Sequence, residues 1–148
     1  MTDYEELPVR LKEALLTKTK SNSPFWQLLD MDLVDVKKGY AKTKVPYSEK
    51  LFNANGVIHG GVIFSAADTA VGVALVGMVD RYDMLTTIEM KINYLKPFKG
   101  GEIFAEARII HKGSQTAIGD VDIRDSSGNL VAKAISTYAI IKKTTETG

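Results

Sequence analysis

The period of the apolar residues changes abruptly along this chain. From 62 to 79 nearly every position is apolar, with no polar face. After Asp80-Arg81-Tyr82-Asp83 the period becomes two. Ile88, Met90, Ile92 and Tyr94 alternate with Thr87, Glu89, Lys91 and Asn93. Ile103, Ala105, Ala107 and Ile109 alternate with Phe104, Glu106 and Arg108. Ala117, Gly119, Val121 and Ile123 alternate with Ile118, Asp120, Asp122 and Arg124, and a last strand runs over 130–141. Turn residues at Lys99-Gly100-Gly101, Lys112-Gly113-Ser114 and 125–129 separate these segments. The pattern predicts four strands joined by three hairpins, an antiparallel meander.

Upstream, Leu7, Leu11, Ala14 and Leu15 share one helical face, which predicts a short N-terminal helix over about 8–18. Ser21-Asn22-Ser23-Pro24 ends it. Residues 25–29 suit a turn of helix, and 31–36 and 40–45 suit two strands joined at Lys38-Gly39. The order is helix, two strands, long apolar helix, four strands. It predicts an α+β fold in one domain over 1–148, with a sheet curled around the helix or a second subunit covering what the sheet leaves bare.

The apolar run is about long enough to span a bilayer, but Asp68 lies within it beside Ser65, Thr69, Gly72 and Gly77. An Asp at the centre of an isolated membrane helix costs about 2.5–3.5 kcal/mol on insertion scales, so the run reads as a buried core helix with no membrane association. The start, Met1-Thr2-Asp3-Tyr4-Glu5-Glu6, has neither the basic residues nor the apolar stretch of a secretory signal, and a cytoplasmic location is expected. The 148 residues are 45% hydrophobic and 25% charged, which fits an ordered domain. Nineteen Lys and Arg against eighteen Asp and Glu leave a net charge of +1, without the basic excess of a nucleic-acid-binding protein. Without Cys, and with His59 and His111 as its two histidines, the chain has no thiol nucleophile and a poor ligand set for zinc. No metal and no cofactor are expected.

Candidate chemistry concentrates in the stretch from Asn53 to Thr69, NANGVIHGGVIFSAADT. Gly60-Gly61 at a helix start lets a ligand approach the backbone closely. The first N–H groups of a helix lack partners and sit at the positive end of its dipole, so they can stabilise charge developing on an oxygen. Asp68 is the one charged residue between His59 and Val79. A carboxylate buried there needs pairing or hydrogen bonding to offset a cost of several kcal/mol.

Asn53, His59-Gly60-Gly61 and Asp68, eight residues after the first glycine, together resemble the signature of the PaaI-like family of hotdog-fold acyl-CoA thioesterases. The segment from Thr86 to Pro97, TTIEMKINYLKP, is similar to the family's strand after the helix, and the element order agrees over about 25–141. The resemblance implies a curved antiparallel sheet wrapped around the helix and a site at a dimer interface, with pairing of dimers into a tetramer. It implies hydrolysis of acyl-CoA, with the Gly60 N–H as oxyanion donor and Asp68 as general base or nucleophile. Asn53 and Thr87 would hold the water or the reacting group, His59 would order the loop, and His59 and Gly61 would contribute to substrate binding. By the same resemblance Glu89, Tyr94, Gly113 and Ser114 lie near coenzyme A, and Phe64 and Val71 line the acyl tunnel.

Helix geometry bears on the dimer independently. Eight residues of helix span about 12 Å, whereas a reacting carbonyl must lie about 3 Å from both its oxyanion donor and the attacking group. One helix cannot serve one carbonyl with both. Two antiparallel helices related by a two-fold axis can. Two other readings are open on the same fold. A hotdog dehydratase would call for an acidic residue near His59, where the chain carries Asn53. A non-catalytic acyl-CoA sensor usually carries an added DNA-binding segment, for which the residues before Pro24 are too few.

Overall fold

The apolar run folds as one helix, α3 (Gly60–Val76), and a six-stranded antiparallel sheet curves around it. These features belong to a computed structural model, in which residues 3–143 are described. Preceding α3 are α1 (Val9–Lys18), α2 (Pro24–Leu29), β1 (Asp32–Lys37) and β2 (Tyr40–Val45). Following it are β3 (Met84–Tyr94), β4 (Ile103–Lys112), β5 (Thr116–Arg124) and β6 (Leu130–Ile141). No helix among the described residues is long and apolar enough to cross a membrane.

The alternation in the sequence becomes the core. Ala41, Thr43 and Val45 on β2, Ile103, Ala105 and Ala107 on β4, and Ala117, Gly119, Val121 and Ile123 on β5 are buried against α3. Most of these side chains are small, so helix and sheet approach closely. A Cβ at Gly119 would lie 2.6 Å from Val71 Cγ1. Val71 is therefore sealed between helix and sheet, which corrects its expected place on the acyl tunnel. The helix ends three residues before the expected Val79, because Gly77 caps it and Leu7 of the N-terminal segment packs on that cap.

The strand order is β1-β2-β4-β5-β6-β3, and this corrects the three-hairpin meander. The β4–β5 and β5–β6 hairpins form, but β3 pairs with β6, with Thr87 opposite Tyr138 and Tyr94 opposite Ala132. The cause lies in residues 95–102. Leu95 and Lys96 donate their N–H groups to Val131 O, and Pro97 has none to donate. Phe98 is buried, and its carbonyl accepts from Ile58 N. The link thus crosses the ends of β6 and β5 to reach β4, and β3 becomes an edge strand.

A second correction concerns the phase of β3. A bulge between Thr87 and Glu89 breaks the alternation, and Ile88 is 56% exposed instead of sharing a face with Met90 and Ile92. The buried Ser136 hydroxyl donates to the Glu89 carbonyl at this point. The extra residue puts Thr87 on the helix side and Glu89 on the outer side.

Candidate active site

The loop before α3 is held by its own backbone. Phe52 and Ile58 form an isolated bridge, and His59 N donates to Leu51 O at 2.8 Å. Inside the loop Asn53 Oδ1 accepts from Asn55 N at 2.9 Å and from Val57 N at 3.4 Å. The Asn53 carbonyl is thereby committed to loop shape, and its NH2 end is the part left to meet a ligand.

His59 caps the helix. Its Nδ1 accepts from Gly61 N at 2.8 Å, and its carbonyl accepts from Val62 N at 3.0 Å. The Gly61 N–H is therefore spent within the chain. The Gly60 N–H has no acceptor among the described residues. It stands where the helix dipole favours negative charge. Gly60 borders a cleft of about 280 Å³ that Asn53, Ile63, Tyr94, Lys96 and Phe98 also line. Ile63, one residue before the expected Phe64, supplies the helix's apolar wall there. The Tyr94 hydroxyl donates to Gly60 O at 2.8 Å, and a Cβ on Gly60 would meet the Tyr94 ring at 3.0 Å.

Asp68 is absent from that cleft's lining. It sits two turns further along α3, half-buried, with Thr87 Oγ1 donating to its Oδ1 at 2.7 Å. The Tyr138 hydroxyl lies 2.6 Å from Asp68 O and 3.1 Å from Oδ1. Oδ2 has no partner among the described residues. Sequence reasoning missed Tyr138, although two signals existed. Alternation along β6 turns it toward the helix with Ala134 and Ser136, and Gly72 leaves room for it, since a Cβ there would lie 3.1 Å from its hydroxyl.

The remaining candidates lie apart. Glu89 is on the outer face, where its Oε1 accepts from Thr137 Oγ1 at 2.7 Å. Gly113 and Ser114 form the β4–β5 turn, near the register line of Thr116, Ala139 and Thr86. Tyr94 is at the opposite end of β3. Within one chain the structure thus joins Asn53, Gly60 and Tyr94 in one group, and Asp68 and Thr87 in another.

The profile of the thioesterase superfamily matches residues 55–132, which include His59, Gly60, Asp68, Thr87 and Tyr94. A candidate esterase of Saccharolobus solfataricus is 33% identical over 137 residues, 93% of this chain and 95% of its own length. The chain belongs to the thioesterase superfamily. The medium/long-chain acyl-CoA thioesterase YigI of Escherichia coli is 26% identical over 132 residues, spanning 79% of this chain and 85% of YigI. The structure of the E. coli PaaI protein from the phenylacetic acid degradation operon superposes with a TM-score of 0.78 at 25% identity, covering 85% of this chain and 91% of that one. The hotdog fold follows, and membership of the superfamily supports thioester hydrolysis as the reaction class.

Proposed function

We propose that this thioesterase-superfamily protein hydrolyses acyl-CoA thioesters at sites shared between two copies of the chain. One observation carries the reading: among the described residues no carboxylate lines the cleft beside the unaccepted Gly60 N–H, and Asp68, the one carboxylate of α3, lies about 12 Å along the helix from Gly60. A second copy related by a two-fold axis brings its own Asp68 to that cleft. The edge strand β3 favours such pairing. Its outer edge has no neighbour among the described residues, and Met84 and Ile88 are 51% and 56% exposed. By the family resemblance two such dimers then assemble as a tetramer. Acyl-CoA is the substrate class by likeness to YigI.

In the proposed reaction the thioester carbonyl lies in the cleft, with its oxygen on the Gly60 N–H. Asp68 Oδ2 of the other copy takes a proton from a water that attacks the carbonyl carbon, or attacks that carbon itself to form an anhydride that water then opens. On either route the C–S bond breaks, coenzyme A leaves as a thiolate that takes up a proton released from water, and the acyl group departs as the free acid. A thiolate leaves readily, so a strong acid catalyst beside the sulfur is unnecessary. Thr87 orients the carboxylate, and the Asn53 NH2 holds the water or the substrate carbonyl. On this reading Glu89, Gly113 and Ser114 meet coenzyme A at the surface of the dimer.

Thiol release measured across a panel of acyl-CoAs tests this function. Turnover above the uncatalysed rate with at least one acyl class is the expected result; tight acyl-CoA binding with no thiol release would favour the sensor reading. Asn53→Ala is expected to lower kcat by about tenfold, within the range for lost positioning. It should do so less than a change at Asp68, because Asn53 orients without moving a proton. Steady-state kinetics on the two variants checks that order.

A further inference from the structure

We infer that Tyr138 is a positioning residue that, together with Thr87, locks the Asp68 carboxylate so that Oδ2 is the oxygen presented to substrate. The inference rests on the reading of Asp68 as base or nucleophile. It adds a residue outside the matched span of 55–132 and outside the motif that carries the resemblance.

Tyr138 is 5% exposed, and its hydroxyl reaches two acceptors on one residue, Asp68 O at 2.6 Å and Asp68 Oδ1 at 3.1 Å. A donor shared between the main-chain carbonyl and the side chain of the same residue fixes the torsion between them. Thr87, the residue opposite Tyr138 across the β3–β6 ladder, donates to the same Oδ1. Two hydroxyls converging on Oδ1 from adjacent strands leave the carboxylate one orientation, and the bulge at Ile88 is what turns Thr87 into that position.

The surroundings favour a purely orienting role. The helix-facing side of the sheet is otherwise without titratable groups near Asp68: β2 offers Ala41, Thr43 and Val45, β4 Ala105 and Ala107, β5 Ala117, Gly119 and Val121, and β3 Leu85, Thr87 and Met90. α3 carries no other charge. Burial pushes the Tyr138 phenol well above its ordinary value, and the Asp68 charge adds to that against the Thr87 hydroxyl. The phenol therefore stays protonated, a donor throughout the working pH range.

Tyr138→Phe keeps the ring and removes the donor. The expected result is a kcat about three- to thirtyfold lower with KM within about twofold, since a misoriented base slows the chemical step more than binding. Gly72→Ala is the second variant. Its Cβ would lie 3.1 Å from the hydroxyl and must displace it, so the same changes should follow in weaker form. It keeps the test open should Tyr138→Phe fold poorly. A kcat and KM equal to wild type in the folded variants, with only thermal stability reduced, would overturn the inference. Asp68→Asn run alongside separates the two levels. Full activity in that variant overturns the proposed mechanism and this inference with it, whereas loss there beside a wild-type-like Tyr138→Phe overturns this inference alone.

Discussion

Asp68→Asn is expected to lower turnover by about 10²–10⁴-fold, the range for loss of a placed general base, in a protein that remains folded and associated. The change is nearly isosteric. Thr87 Oγ1 and the Tyr138 hydroxyl, which both reach Oδ1, can still donate to the amide oxygen. The new NH2 takes the place of Oδ2, an atom with no partner among the described residues, so no internal bond is lost. Acyl-CoA affinity should hold or rise, because the thioester carbonyl would face a donor in place of a carboxylate. A purely structural role for Asp68 predicts the reverse: an altered thermal midpoint and an unchanged rate per folded chain. Turnover and thermal midpoint measured on one preparation distinguish the two.

The second large effect is expected at Gly60. Gly60→Pro removes the one N–H assigned to the oxyanion and should cost about 10²–10³ in kcat, as for other single oxyanion donors. The backbone suits the change. Gly60 is the first helical residue, where Pro is well tolerated, and His59 at φ −61° and ψ 133° already has the extended conformation favoured before Pro. The added ring carbon must push Tyr94 by a few tenths of an ångström. Gly60→Ala makes the same demand on Tyr94 but keeps the N–H, and is expected to lose less than about tenfold, the misplacement of a donor instead of its removal. The ratio of the two variants' kcat/KM isolates the N–H. A ratio near one would remove Gly60 from the mechanism.

Much of the fold was legible because burial periodicity is local. The helix could be placed from an apolar run opened by His59-Gly60-Gly61, and the inward residues of β4 and β5 from strict alternation. Alternation assigns a residue to a face of a strand, however, and says nothing about which strand lies alongside. The glycine pair at 100–101 therefore read as a hairpin, while the missing N–H of Pro97 and the burial of Phe98 carry the chain across the sheet to another partner. The bulge was hidden for the same reason: an uninterrupted pattern in β3 put Thr87 on the side of Glu89, and only pairing with β6 turns it toward Asp68. Candidate groups within one loop and one helix, Asn53 to Asp68, stood out by spacing. Tyr138 did not, because it lies seventy residues from Asp68 and sixty-six from Gly72, and only the β3–β6 ladder brings it to them.

Complementation between two inactive variants tests the shared site most directly. Asp68→Asn and Gly60→Pro chains are mixed in equal amounts under conditions that exchange subunits, and thiol release is compared with each variant alone. In a mixed dimer one site combines both lesions. The other combines the intact Gly60 of the Asp68→Asn chain with the intact Asp68 of the Gly60→Pro chain. Random reassortment makes half of the dimers mixed, so about a quarter of wild-type activity should return if the sites lie across a two-fold interface. Activity that stays at the level of the separate variants, with subunit exchange demonstrated, would contradict the shared site.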